Sequence, residues 1–478
     1  MHSGRPNIIF IITDQQRYDT IAAHGFPHME TPVLDGLAAA GASFSRCYVS
    51  GASCVPARAS LFSGCFPHTT GVINNAAGWR HSGVERFAAA GYRCASVGKM
   101  HTQPMDEVAG FHTRLIVENK DRSQAIRGRE FVDEWDRELQ RAGVEKPGKP
   151  TYSRLADYDE RLGAYDWPLA EALHADVFVG RRTVRWIEEN PRREPLFLQV
   201  GFPGPHPPYD PPAERAAAYL AKDLPIDAVT DEDLQGQPEP LRALRRRHVE
   251  VNHDAVVHVE QPPAAARKRQ RAHYLANVTM IDREVGRILA ALRAGGYLDH
   301  AVVVFTSDHG DCLGDHGHSQ KWTMYEQVVR VPLIVWSSPP LGHAGDVPAL
   351  VQQMDIVPAL MELAGIEVPG YFEAQSVLPA LRGEPFAGRT TVYCEQGRDH
   401  IFRFADLMTM ARTARWKYVH FLGLPCGQLF DLAADPGERV NLWDDPGHAT
   451  VRQELLQGFL EWRLRSGYES RDWAGAYR

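Results

Sequence analysis

One short, continuous apolar run constrains the fold most, NIIFIIT at residues 7–13, and four further largely apolar runs read as its partners: YRCASV at 92–97, PLFLQVGF at 195–202, AVVVFT at 301–306 and VPLIVW at 331–336. Runs of this length without polar alternation suit strands buried on both faces. Between them lie segments of helical periodicity. Residues 31–40 (TPVLDGLAAA) open with Thr-Pro, a helix start, and close at Gly41; residues 171–189 form a second segment. The clearest covers residues 271–293, where Tyr274, Val278, Ile281, Val285, Ile288, Leu289 and Leu292 make one stripe that ends at Gly295-Gly296. Strands alternating with helices predict an α/β fold on a large mixed, mostly parallel sheet flanked by helices.

Two stretches break this rhythm. Residues 103–170 are rich in charged and aromatic residues, and residues 203–268 in proline and arginine, so both are expected to be surface insertions. The basic runs RALRRRH and AARKRQR are expected to be solvated faces. Beyond residue 370, segments 391–394, 407–412, 416–421 and 428–432 read as short antiparallel strands, followed by a helix over 450–465. The expected division is a large α/β domain at 1–370 and a small antiparallel α+β subdomain at 371–478, as befits a 478-residue chain.

A net charge of −8 offers no overall attraction to nucleic acid or an anionic membrane, and neither is expected as a partner. An anionic substrate would need a local cluster of cations. The cysteines at 47, 54, 65, 94, 312, 394 and 426 include no C-x-x-C pair, which argues against a zinc ribbon and favours a reducing compartment. The apolar run at 7–13 is too short to span a membrane and no signal-peptide cleavage region follows it, so a cytoplasmic location is expected. A homo-oligomer is compatible with the sequence.

The informative residues follow the strands. The first run leads into Asp14-Gln15, the second into Gly98-Lys99-Met100-His101, the third into the loop with His206, and the fourth into Ser307-Asp308-His309-Gly310-Asp311. Ligands of open α/β sheets bind at the carboxyl ends of the strands, so these residues are expected to share one site. Asp14, Asp308 and His309 suit Ca²⁺, Mg²⁺ or Mn²⁺ better than a thiolate zinc centre. With Lys99, Arg58 and Lys321 they would make a positive pocket for a tetrahedral anion. The stretch GASCVPARASLFSG at 51–64 adds a helix start at Pro56 with Cys54 near its positive end. On its own, such a cysteine reads as a small buried hydrophobe.

Together these motifs resemble the type I, formylglycine-dependent sulfatase family of the alkaline-phosphatase superfamily. Cys54-Val55-Pro56-Ala57-Arg58 is similar to its C-x-P-x-R signature, and Arg330-Val331-Pro332-Leu333 and the segment LFDLAADPGE at 429–438 are similar to later blocks. The resemblance runs in order from residue 6 to about 443 and implies an alkaline-phosphatase-like sheet. Position 57 is Ala where the commonest signature has Ser. Gln15 stands where many sulfatases carry a second Asp, and this Asp-Gln form is more similar to the choline-sulfatase, bacterial arylsulfatase and phosphonate monoester hydrolase branches.

The resemblance implies oxidation of Cys54 to formylglycine by a formylglycine-generating enzyme, and one divalent metal, Ca²⁺ first, held by Asp14, Gln15, Asp308, His309 and the modified residue 54. It further implies that a gem-diol hydroxyl of residue 54 attacks a sulfate ester, that Arg58 and Lys99 hold the diol, and that Lys321 clamps the sulfuryl oxygens. His206 would protonate the leaving group and His101 would deprotonate the second hydroxyl to release sulfate. Asn74 and Asn75 are expected as substrate contacts. Asp311 and Asp315 are expected as loop residues, His316 and His318 as possible pocket neighbours of Lys321, and Trp135, Trp167, Tyr209 and Trp322 as aromatic candidates beside the leaving group. The expected substrate is a small anionic ester. A phosphonate monoester or phosphodiester hydrolase is the alternative with the same residues, and a non-catalytic binder of sulfated ligands is the alternative if Cys54 stays a thiol.

Overall fold

A computed structural model describes residues 4–471 apart from 80, 119, 121–123, 127, 192 and 227–228. Its strands are β1 (Asn7–Asp14), β2 (Ala42–Tyr48), β3 (Arg93–Gly98), β4 (Thr113–Ile116), β5 (Gln124–Ile126), β6 (Arg129–Phe131), β7 (Leu196–Pro205), β8 (Ala301–Ser307), β9 (Leu333–Ser338) and β10 (Gly345–Gln352). Eight of them form one sheet in the order β10-β2-β9-β8-β1-β7-β3-β4, while β5 and β6 pair as a separate hairpin. Within the sheet only β9 runs antiparallel to its neighbours. The four central parallel strands β8, β1, β7 and β3 are four of the five apolar runs.

β1 is buried along its whole length because its alternate residues feed two cores. Ile8, Phe10 and Ile12 pack towards the helix Cys54–Ser63, with the Phe10 and Phe62 ring centroids 5.3 Å apart. Ile9 and Ile11 face the helices Ala175–Glu189 and Ala264–Ala294 through Phe178, Val179, Ile281, Val285 and Ile288. Truncating a ring such as that of Phe10 to Ala would cost about 3–5 kcal/mol.

The stripe expected at 271–293 lies in the helix Ala264–Ala294, which starts earlier because Pro263 opens it and Ala264 to Ala266 are helix formers. The segment expected to be helical from 171 instead begins with a 3₁₀ turn, Glu171–Leu173, and the α-helix starts at Ala175. There the His174 side chain accepts the Asp176 N–H and caps the helix.

The stretch 103–170 is more than a surface excursion. It supplies β4, the sheet's last strand, and the helix Glu134–Arg141. The stretch 203–268 carries the helices Ala213–Leu220, Asp231–Gln235 and Glu239–Val251. Of the arginines on the last, Arg246 is exposed and Arg242 half-buried, both pairing with Glu239, whereas Arg245 is buried, so this run is only in part the solvated face expected. Beyond the large sheet, β11 (Thr391–Gly397), β12 (Leu407–Thr413), β13 (Trp416–Phe421) and β14 (Gly427–Asp431) form a four-stranded antiparallel sheet, followed by the helix Ala449–Glu469. Among the described residues, no helix is long and apolar enough to cross a membrane.

Candidate active site

Parallel pairing of β8, β1, β7 and β3 brings their carboxyl ends to one edge. Asp14 is the last residue of β1, Asp308 and His309 follow β8, Lys99 follows β3, and His206 follows β7. Cys54 enters from the face covered by its helix and is its first residue. The amide N–H of Val55, one of the groups a helix start leaves unpaired, is taken by Asn75 Oδ1 at 3.0 Å.

One ligand atom from each of Asp14, Cys54, Asp308 and His309 lies within 4.8 Å of the others. Donors around a single cation such as Ca²⁺ sit about 2.3–2.6 Å from it, hence up to about 5 Å apart, so this spacing fits one ion. Two carboxylates and an imidazole suit a divalent cation of hard to borderline character.

Cations hold the carboxylates from behind. Arg58, one helical turn beyond Cys54 and fully buried, places Nε 2.7 Å from Asp308 Oδ2 and Nη2 3.5 Å from Asp14 Oδ2, and donates through Nη1 to the Lys99 carbonyl at 2.9 Å. Lys99 Nζ lies 2.7 Å from Asp14 Oδ2. Burial alone would push the Asp14 carboxyl up, but Lys99, with Lys321 and Arg58, outweighs it and holds the group well below the usual carboxylate range. Arg58 and Lys99 thus stand behind the carboxylates and do not line the cavity.

Lys321 does line it. Its ammonium sits 2.9 Å from Cys54 Sγ and 3.0 Å from Gln15 Oε1, while Cys54 Sγ is 3.1 Å from His309 Nε2. Burial disfavours the Lys321 cation, but the groups facing it, Cys54 first and then Asp14 and Asp254, keep it protonated. Three cations, Arg58, Lys99 and Lys321, thus face the carboxylates of Asp14 and Asp308, with Asp254 also facing Lys321, and a divalent metal would tip this balance towards an anion. Gln15, in a left-handed conformation at φ 72, donates its main-chain N–H to Asp308 Oδ1 and its side-chain amide to Asp311 Oδ2 at 2.6 Å. That bond turns its Oε1 towards Lys321.

Above Cys54 opens a cavity of about 250 Å³. Cys54, His101, His206 and Lys321 form its base, and Asn75, Gln103, His253, Asp254, Trp322, Asp399 and His400 stand on its walls. Burial, and then Lys99 for His101 and Lys321 for His206, push both imidazoles well below the ordinary histidine value, so both are neutral near pH 7. His206 Nδ1 bonds the Pro207 carbonyl at 2.8 Å, which makes Nδ1 the protonated nitrogen of the neutral ring and leaves Nε2 facing Asp254 at 3.5 Å.

Asn75 lies on the wall, but Asn74 does not: its amide donates to the Arg398 carbonyl and its Oδ1 accepts the Ala76 N–H. Asp311 accepts bonds from Gln15 and Tyr209, and Asp315 pairs with Arg17. His316 and His318 turn to Asp233 and Gln237, and Trp135 and Trp167 belong to the core behind the sheet. Of the four aromatic candidates only Trp322 lines the cavity, its indole N–H donated to Asp399 Oδ2 at 2.9 Å. The sequence reading missed Asp254, His253, Asp399 and His400. His253 and Asp254 lie in the short 3₁₀ turn His253–Ala255 and Asp399 and His400 in a loop after β11, and their only signal is an adjacent acid–histidine pair in each.

Residues 6–366 match the sulfatase family, and residues 314–465 match the C-terminal region of N-sulphoglucosamine sulphohydrolase. The chain is 29% identical over 461 residues to an arylsulfatase of Clostridium perfringens, covering 92% of this chain and 90% of that one. It is 30% identical over 490 residues to a choline-sulfatase of Rhizobium meliloti, covering 97% and 87%. The fold is similar to the crystal structure of a phosphonate monoester hydrolase of Agrobacterium radiobacter, with a TM-score of 0.80, 25% identity and coverage of 97% and 96%.

Proposed function

The chain belongs to the sulfatase family, the sulfuric ester hydrolases, and from that premise we propose that it cleaves small sulfate esters with residue 54, oxidised from cysteine to formylglycine, beside one divalent cation. The observation that carries this reading is the position of Cys54 Sγ: at the base of the cavity, within reach of Lys321 and His309, and inside the donor set of Asp14 and Asp308. The cation, Ca²⁺ by the family resemblance with Mg²⁺ or Mn²⁺ as alternatives, would make an oxygen at position 54 nucleophilic at neutral pH, and the oxidised side chain would supply that oxygen.

The remaining work falls to this chain's own side chains. Lys99 and Arg58 keep Asp14 ionised, and Arg58 holds Asp308 in place. Lys321 binds a sulfuryl oxygen and stabilises charge that grows as the ester bond breaks. His206 presents Nε2 to the cavity, and because Lys321 helps to keep its ring neutral in the free enzyme, a bound anion that offsets Lys321 raises its proton affinity, with Asp254 assisting. It can then give that proton to the leaving oxygen. His101, neutral and at the cavity base, is placed to accept a proton there. Maturation would require a formylglycine-generating enzyme, and the seven free cysteines support a reducing, cytoplasmic environment for the protein.

A second reading, phosphonate monoester or phosphodiester hydrolysis, is favoured by the similarity to the phosphonate monoester hydrolase structure. Each of these substrates carries one negative charge, so pocket charge does not separate them. The test is kcat/KM for matched nitrophenyl esters, a sulfate against a phenylphosphonate, on converted, metal-loaded enzyme. The sulfate is expected to be preferred and Cys54→Ala to be inactive on both. A preference for the phosphonate would replace the first reading by the second.

A further inference from the structure

The loop that carries His206 is gripped from the opposite side by a buried cation. Lys120, just beyond β4, is 2% exposed. Its ammonium donates to the carbonyl oxygens of His206 at 3.2 Å and Pro208 at 2.8 Å, and pairs with Asp210 Oδ1 at 2.7 Å. An ammonium has three hydrogens, and all three have partners within residues 206–210. Asp210 is itself anchored: its other oxygen accepts the Tyr152 hydroxyl at 2.8 Å, and His174 Nε2 lies 3.4 Å from Oδ1. Burial pushes the Asp210 carboxyl up, yet Lys120 first and His174 next bring it down to about 2, so the carboxylate is ionised. Lysine is almost never fully buried unless paired, and desolvating its ammonium costs several kcal/mol, so its use here calls for a role.

That role follows from the way the His206 ring is held. Its Nδ1 is bonded to the Pro207 carbonyl, so the main chain at 206–208 sets the direction of Nε2, and Lys120 holds the carbonyls on both sides of that acceptor. We propose that Lys120 is a positioning residue for leaving-group protonation, fixing the loop that aims His206 Nε2 into the cavity. The inference rests on His206 being the proton donor. In that step an oxygen at position 54 bonds to sulfur as the bond from sulfur to the leaving oxygen breaks, the Nε2 proton that the ring takes up when the anion binds passes to the leaving oxygen, and an alcohol and a neutral imidazole result.

The test is the dependence of kcat on leaving-group basicity, measured on converted enzyme with a series of sulfate esters from nitrophenyl to alkyl. A general acid matters little for a nitrophenolate and greatly for an alkoxide. His206→Ala is expected to lose on the order of 100-fold on alkyl esters and only a few-fold on the nitrophenyl ester. Lys120→Met should show the same skew at smaller size, roughly 10-fold against under threefold, because the donor is present but misaimed. Lys120→Gln, whose amide can still serve two carbonyls, should return towards the wild-type profile. Equal slowing of all esters in Lys120→Met, with the skew intact in His206→Ala, would reduce Lys120 to scaffolding and overturn the proposal. Absence of skew in His206→Ala would instead remove His206 as the donor, and the role of Lys120 with it. If Lys120→Met does not fold, Lys120→Gln decides alone: a weak skew supports the proposal and uniform slowing overturns it.

Discussion

Replacing Arg58 by methionine removes a charge while keeping most of the side-chain length. Arg58 is fully buried and its Nε lies 2.7 Å from Asp308 Oδ2, whereas Asp14 keeps Lys99 at 2.7 Å. The loss therefore falls on Asp308. At an effective dielectric constant near 20, a charge pair about 4 Å apart is worth about 4 kcal/mol. Measured costs of breaking one side of a buried pair are about 3–5 kcal/mol, so two routes give the same size. Calorimetry in excess chelator at a fixed scan rate should show Arg58→Met melting on the order of 5 °C or more below wild type. Adding Ca²⁺ should restore more stability to the variant than to wild type, because the cation takes over neutralisation of the stranded carboxylate. A variant that melts within about a degree of wild type in chelator would refute the reasoning.

Lys321→Met removes a donor to the anionic ester, a charged hydrogen bond of about 1.5–3 kcal/mol, so kcat/KM should fall by roughly 10- to 100-fold; unchanged kcat/KM would remove Lys321 from the anion site. Glu118, which accepts the His101 N–H, has its carboxyl pushed by burial from 4.5 to about 7. The native state then holds a proton that the unfolded chain has already released, so stability falls as pH rises from about 4.5 to about 7 and stays low above that. Glu118→Gln cannot ionise, and relative to wild type it should gain up to about 3 kcal/mol in urea unfolding between about pH 5 and about pH 8. A pH-independent difference would contradict that. Asn75→Ala should lower activity by freeing the Val55 N–H at the start of the helix, while Asn74→Ala should leave activity near wild type, a contrast steady-state assays resolve.

The sequence was most legible where physics leaves least choice. β1, β7 and β8 are buried on both faces and had to be continuous apolar runs, and the polar residues just after them had to meet at one edge. β2 and β10 were not legible. β2 mixes Ser43, Ser45 and Arg46 with Phe44 and Cys47, and β10 is an edge strand with Pro348 between its two registers, where a proline costs no ladder bond. The base of the site was readable because strand ends fix it. Its walls were not, because Asp254 and Asp399 reach the cavity through loops whose course depends on packing rather than periodicity. Asn74 and Asn75 show the limit of adjacency: one faces the helix start and the other a neighbouring loop.

The proposed chemistry requires Cys54 to be a precursor and not the final residue. Its most direct test is the mass of the tryptic peptide spanning residues 47–58, from protein produced with and without a formylglycine-generating enzyme. An aldehyde at position 54 is expected when the enzyme is present, with sulfate-ester hydrolysis appearing in proportion to it. A thiol at position 54 under both conditions would contradict it and leave a site that binds anionic esters without cleaving them.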